Sequence, residues 1–183
     1  VWALYPEYDI FVGSLDGGPP VRLTETPGYD AEAAVSPDGA RIAFLANVVA
    51  GAESPEETKK AIEKREKNPA KARTSENRLF RYWDHWLDDR QAHVYSIGIE
   101  GGEPRAVTLG TGLELSRAEA GASSYDIAPD GTEIALAADS DTTGVDSNFD
   151  VYVVPVEGGK ARNLTPDNPA GDGSPAYSPD GRF

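Results

Sequence analysis

Apolar and polar positions alternate with a period of two through YDIFVGSL (8–15), AHVYSIGI (92–99) and FDVYVVPV (149–156), and RIAFL (41–45) and EIALA (133–137) are two more β-rich runs. A period of two puts alternate side chains on opposite faces, the pattern of a β-strand with a buried side. Each run is short and bounded by Gly, Pro and Asp, which predicts strands joined by turns. The opening VWALYPEYDIFVG also reads as strand. One segment differs: SPEETKKAIEKREKN (54–68) predicts a helix. Ser54 followed by Pro55 and Glu57 has the form of a capping box with proline at the first helical position. Glu56–Lys60 and Glu63–Lys67 are i,i+4 pairs, and Asn68-Pro69 stops the helix. Its only aliphatic side chains are Ala61 and Ile62, so a solvated surface helix is expected. After it, RLFRYW predicts a strand and DHWLDDRQ a turn leading into HVYSIGI.

The strands belong to a repeat. YDIFVGSLDGGPPVRLT (8–24), AHVYSIGIEGGEPRAVT (92–108) and FDVYVVPVEGGKARNLT (149–165) align without a gap. Each is a strand, an acid-Gly-Gly turn, and a short strand ending in threonine. A second turn recurs as SPDG (36–39), APDG (128–131) and SPDG (178–181). Proline presets the turn, while Asp38-Gly39, Asp130-Gly131 and Asp180-Gly181 accept the conformations that follow it. Four short antiparallel strands recurring in this way predict an all-β fold, a partial β-propeller of about three four-stranded blades. Residues 1–183 are then one incomplete propeller domain, and residues 46–77 a charged helical insertion inside a blade. Such rings close with about four to eight blades, so the chain reads as a fragment of a larger ring. Open sheet faces would leave it marginally stable or self-associating.

Charge and composition narrow the partners. A net charge of -14 argues against nucleic acid and anionic membranes, which attract basic surfaces. No apolar run reaches the eighteen residues that would cross a bilayer, and no signal peptide is visible. With no cysteine there is neither disulfide nor thiolate chemistry. The compartment stays open; periplasm and cell exterior both suit a soluble chain. No cofactor is implied.

Two segments carry a resemblance. LFRYWDHWLDDRQAHVY, preceded by a charged insertion and followed by GGEPRAVT, is similar to the propeller of the prolyl oligopeptidase family of serine peptidases, in its bacterial dipeptidyl and acylaminoacyl peptidase branch. NFDVYVVPVEGGKARNLTPDNPAGDGSPAYSPDGR resembles the same group, with Gly171 standing where many relatives have an aromatic residue. The first forty-five residues match TolB-like propellers of many kinds. The resemblance implies a propeller that restricts entry and contacts the peptide substrate, with catalysis left to a separate α/β-hydrolase domain as its partner. That domain is absent here, because no G-x-S-x-G and no βαβ alternation occur. The chain is therefore expected not to hydrolyse peptides alone. The alternatives are a non-enzymatic TolB-like propeller for protein–protein interaction and a secreted or carbohydrate-associated scaffold.

The candidate site residues have competing readings. Trp83 and Trp86 could line a substrate entrance, or pack as blade-edge aromatics. Asp84, near Arg81 or Arg90, suits an ion pair. His85 and His93, eight residues apart, would need further ligands to hold a metal. In DSDTTGVDSNFD, Asp139, Asp141, Thr143 and Asp150 fall at positions one, three, five and twelve of a calcium loop, with Gly144 at six. The strands on either side, and the short aspartate at position twelve, equally suit a polar connection.

Overall fold

The structure is a computed structural model that describes residues 8–25, 28–70, 72, 78, 80–83, 85–87, 89–118 and 120–183. It is mostly β, built from antiparallel sheets with one α-helix. A hairpin comes first, β1 (Phe11–Val12) and β2 (Val21–Arg22). Sheet one follows as β3 (Asp30–Val35), β4 (Arg41–Val49), β7 (Arg90–Gly98) and β8 (Gly101–Ala106), in that spatial order. Between β4 and β7 lie helix α1 (Pro55–Lys67) and a small hairpin, β5 (Arg81–Tyr82) with β6 (His85–Trp86). Sheet two is β9 (Tyr125–Ile127), β10 (Glu133–Ala138), β11 (Asp150–Pro155) and β12 (Arg162–Asn163), again in meander order. Among the described residues the sheets do not close on themselves.

Sheet one is buried on both faces, and the alternation within its strands sorts the two cores. Ala43, Leu45 and Val94 meet Tyr125, Ile134, Leu136 and Val154 of sheet two. On the opposite face Ile42, Phe44, Tyr95 and Ile97 pack with Ile10 of the first hairpin and with Ala61 and Ile62 of the helix. Burying one such side chain is worth about 2 kcal/mol. The helix thus uses its two aliphatic residues as an anchor and leaves its charged faces to solvent. Ser54 caps it by accepting from the Glu57 N–H at 3.2 Å. The segment expected to run from strand into turn forms the β5–β6 hairpin instead. Its backbone pairs with itself, Arg81 opposite Trp86, and does not extend sheet one.

Three hairpins share a recurring hydrogen bond. Thr24, Thr108 and Thr165 accept from the N–H groups of Ile10, Val94 and Val151, each at 3.0 Å and each fourteen residues away. Ile99 N–H donates to Ala40 O, and Val156 N–H to Thr132 O, both at 2.9 Å, where the two turns of a sheet meet. Asp38 accepts from the Ala40 N–H at 3.0 Å, Asp130 from Thr132 at 3.1 Å and Asp180 from Arg182 at 3.1 Å. Gly39, Gly131 and Gly181 take φ near +70° in these turns, a region that favours glycine.

The sheets are also tied to each other. The Tyr125 hydroxyl donates to the carbonyls of Glu32 and Ala43, and the Ser96 hydroxyl to Val156 O at 3.0 Å. Glu157 pairs with Arg41 and, at 2.8 Å, with Arg105.

Candidate functional site

Antiparallel meanders send alternate connections to opposite ends. The Pro-Asp-Gly and acid-Gly-Gly turns occupy one end, here the turn end. The opposite, loop end gathers the described residues of the stretches 50–89, 107–124, 139–149 and 164–176. Long loops on a rigid scaffold are where binding groups collect.

A cavity of about 410 Å³ opens at the loop end. Arg78 from the insertion, Glu114 and Arg117 from the β8–β9 loop, and Asp139, Asp141 and Phe149 from the β10–β11 loop line it. The backbone holds these loops together. Glu114 and Asp139 exchange N–H···O bonds at 2.9 Å, and the Arg78 N–H donates to Thr143 O at 3.1 Å. The Glu114 carboxylate accepts from Gln91 at 3.2 Å and pairs with Arg117 at 3.1 Å. Burial raises its pKa, and Arg117 and Gln91 oppose that rise.

Asp139 and Asp141 both line the cavity, but their carboxylates organise the loop. Asp139 accepts from the Asp141 N–H and the Ser147 hydroxyl, each at 2.7 Å. Asp141 accepts from the Thr143 hydroxyl at 2.6 Å, and from the N–H groups of Thr143, Val145 and Asp146 at 2.8–2.9 Å. The Thr143 hydroxyl bond, then the backbone donors, hold its pKa down at about 2. Asp150 lies apart at the start of β11, bonded to Asn148 at 3.2 Å and Asn163 at 2.7 Å. Among the described residues, no three His, Asp or Glu side chains stand where they could hold a metal ion together.

His93 is buried in sheet one with Nδ1 3.1 Å from the Thr108 hydroxyl. Burial lowers its pKa from 6.5 to about 4, because the charged imidazolium loses hydration there. Asp84 and the His85 side chain lie outside the described residues. Trp83 and Trp86 are exposed, at 80% and 58%. Trp86 stacks on Phe80 with ring centroids 5.8 Å apart, and the Arg81 guanidinium lies over the Trp86 ring, 5.9 Å from its centroid. Trp83 meets Tyr82 edge-on at 6.3 Å. Sequence reasoning did not single out Glu114 or Arg117. They sit in a loop without periodicity, and only folding brings them beside Asp139.

No family model matches the chain. Among curated proteins it is similar to Dipeptidyl-peptidase 5 of Porphyromonas endodontalis, 26% identical over 182 residues that cover 92% of this chain and 24% of that protein. The chain thus spans about a quarter of the length of the relative it matches. This distant likeness is that of a peptidase-related segment.

Proposed function

We propose that the chain is a β-propeller segment of a peptidase, with its loop end turned toward the path of a peptide substrate and catalysis supplied by an α/β-hydrolase domain elsewhere in the same protein. The observation that carries this reading is the threonine hydrogen bond repeated in three hairpins, Thr24 to Ile10, Thr108 to Val94 and Thr165 to Val151. Such a recurring bond is what a copied unit would produce, and the two four-stranded sheets pack against each other as propeller blades do. The distant likeness to a dipeptidyl peptidase supports a peptidase-related setting for it.

The test has two parts. The coding sequence should continue past Phe183 into further blades and a domain containing G-x-S-x-G. The protein including that domain should cleave dipeptidyl substrates, whereas residues 1–183 alone should not. Hydrolysis by the isolated chain would overturn the division of labour. An open reading frame that stops once the ring closes would leave a non-enzymatic binding propeller.

A further inference from the structure

The carboxylates around the loop-end cavity outnumber the cations, and one of them keeps an oxygen for whatever enters. Glu114 is 5% exposed and lines the cavity. Its bonds from Gln91 and Arg117 both end on Oε1, and among the described residues nothing donates to Oε2. The charge of Arg117 is answered by Glu114 itself. Asp139, also 5% exposed, and Asp141 accept only from N–H and hydroxyl groups, which carry no formal charge. A carboxylate held away from water is costly unless a cation stands near it. Burial raises the Glu114 pKa and Asp139 and Asp141 add to the rise, so the three carboxylates share one field.

The same geometry says which cation suits the cavity. A metal ion needs several free oxygens at short range. The Asp141 carboxylate is already occupied by four donors, and among the described residues no acidic or histidine trio converges. An organic cation needs one free oxygen, a negative field and an apolar wall for its stem. Glu114 Oε2, the two aspartates, and Phe149 with Leu115 supply these in turn. A volume of about 410 Å³ lies in the range of small-molecule sites and has room for a whole side chain. We propose that the cavity is a specificity site for a basic side chain of a peptide, its charged head on Glu114 Oε2 and its methylene stem along Phe149. The peptide as carrier rests on the function proposed above; the affinity for the cation does not.

Titration of the 183-residue chain with Nα-acetyl-arginine amide tests this, read from the NMR shifts of the Val145 and Asp146 amides. Binding at about 1 mM or tighter is expected, and the neutral isostere Nα-acetyl-citrulline amide should bind at least roughly tenfold more weakly. Glu114→Gln should weaken the arginine amide about tenfold, and Phe149→Leu about two- to fivefold. Arg78→Gln should tighten it about twofold or more, because a like charge leaves the cavity wall while the bond from its N–H to Thr143 O stays. A merely structural role for Glu114 predicts no such gain. Circular dichroism checks that each variant is folded. No binding, equal binding of citrulline, or weaker binding in Arg78→Gln overturns the proposal. So does equal binding of glycyl-glycine amide, whose cation is the chain's amino terminus. If the arginine amide binds and the gene encodes no hydrolase domain, this site stands and the peptidase reading falls. If the whole protein is a peptidase whose propeller ignores the difference between arginine and citrulline, the site falls and that reading stands.

Discussion

The turn end and the loop end of the same sheets are held by opposite means. At the turn end each connection is a few residues long and bonded mainly to its own backbone and its neighbouring turn. At the loop end the connections are long and are held by side chains: Glu114 by Gln91 of β7 and by Arg117 of its own loop, Asp139 by Ser147 of its own loop, Val94 N–H by Thr108. The turns at one end share a sequence and a hydrogen-bond pattern, and the loops at the other end share neither. The protein keeps its scaffold chemistry at one end and its variable chemistry at the other.

Substitutions should separate the two ends. Gly158→Ala at the turn end should have the largest effect. A Cβ there would sit 2.8 Å from the Ala106 carbonyl oxygen, at a φ of +82° that alanine resists. A loss of about 2–4 kcal/mol in urea denaturation is expected.

Next comes a pH effect from His93. Its pKa is lower folded than unfolded, so the unfolded chain binds more protons between 6.5 and about 4. Stability is therefore full above 6.5 and falls as the pH drops toward 4, by up to about 3 kcal/mol. Denaturation across that range measures it, and His93→Gln should flatten this part of the profile. An unchanged slope in that variant would assign the acid sensitivity to carboxylates.

Thr108→Val leaves the buried Val94 N–H without its acceptor and should cost about 1–3 kcal/mol. The same change at the partly exposed Thr165 should cost less, since water can reach Val151. Equal losses would mean that the staples do not differ in burial as the structure has them. The smallest effect belongs to Trp83→Ser, within about 0.5 kcal/mol in thermal or urea melts, since that ring is mostly in water.

Much of the scaffold was legible in the chain. Period-two runs marked β7 and β11, β-rich runs marked β4 and β10, and Ser54, Pro55 and Asn68 marked the helix to within a residue. These are local signals, carried by residues that touch in sequence. The short hairpin β5–β6 was not legible, because RLFRYW has the composition of a longer strand and only pairing decides where it stops. The cavity was half legible. Asp139 and Asp141 stood out as an acidic series, yet their use as loop-internal acceptors depends on N–H groups that face them only after the loop closes.

The sequence by itself determined the repeat, its two turn types and the alternation that gives each strand two faces. Those follow from φ restrictions at Pro and Gly and from the two-residue period of a strand. Tertiary structure decided which face meets which. It set Tyr125 against Glu32 and Ala43, buried His93 beside Thr108, and brought Arg78, Glu114 and Asp139 around one cavity. The physical reason is range: propensity acts over a few residues, whereas burial and the pairing of buried polar groups act between segments of chain that only folding makes neighbours.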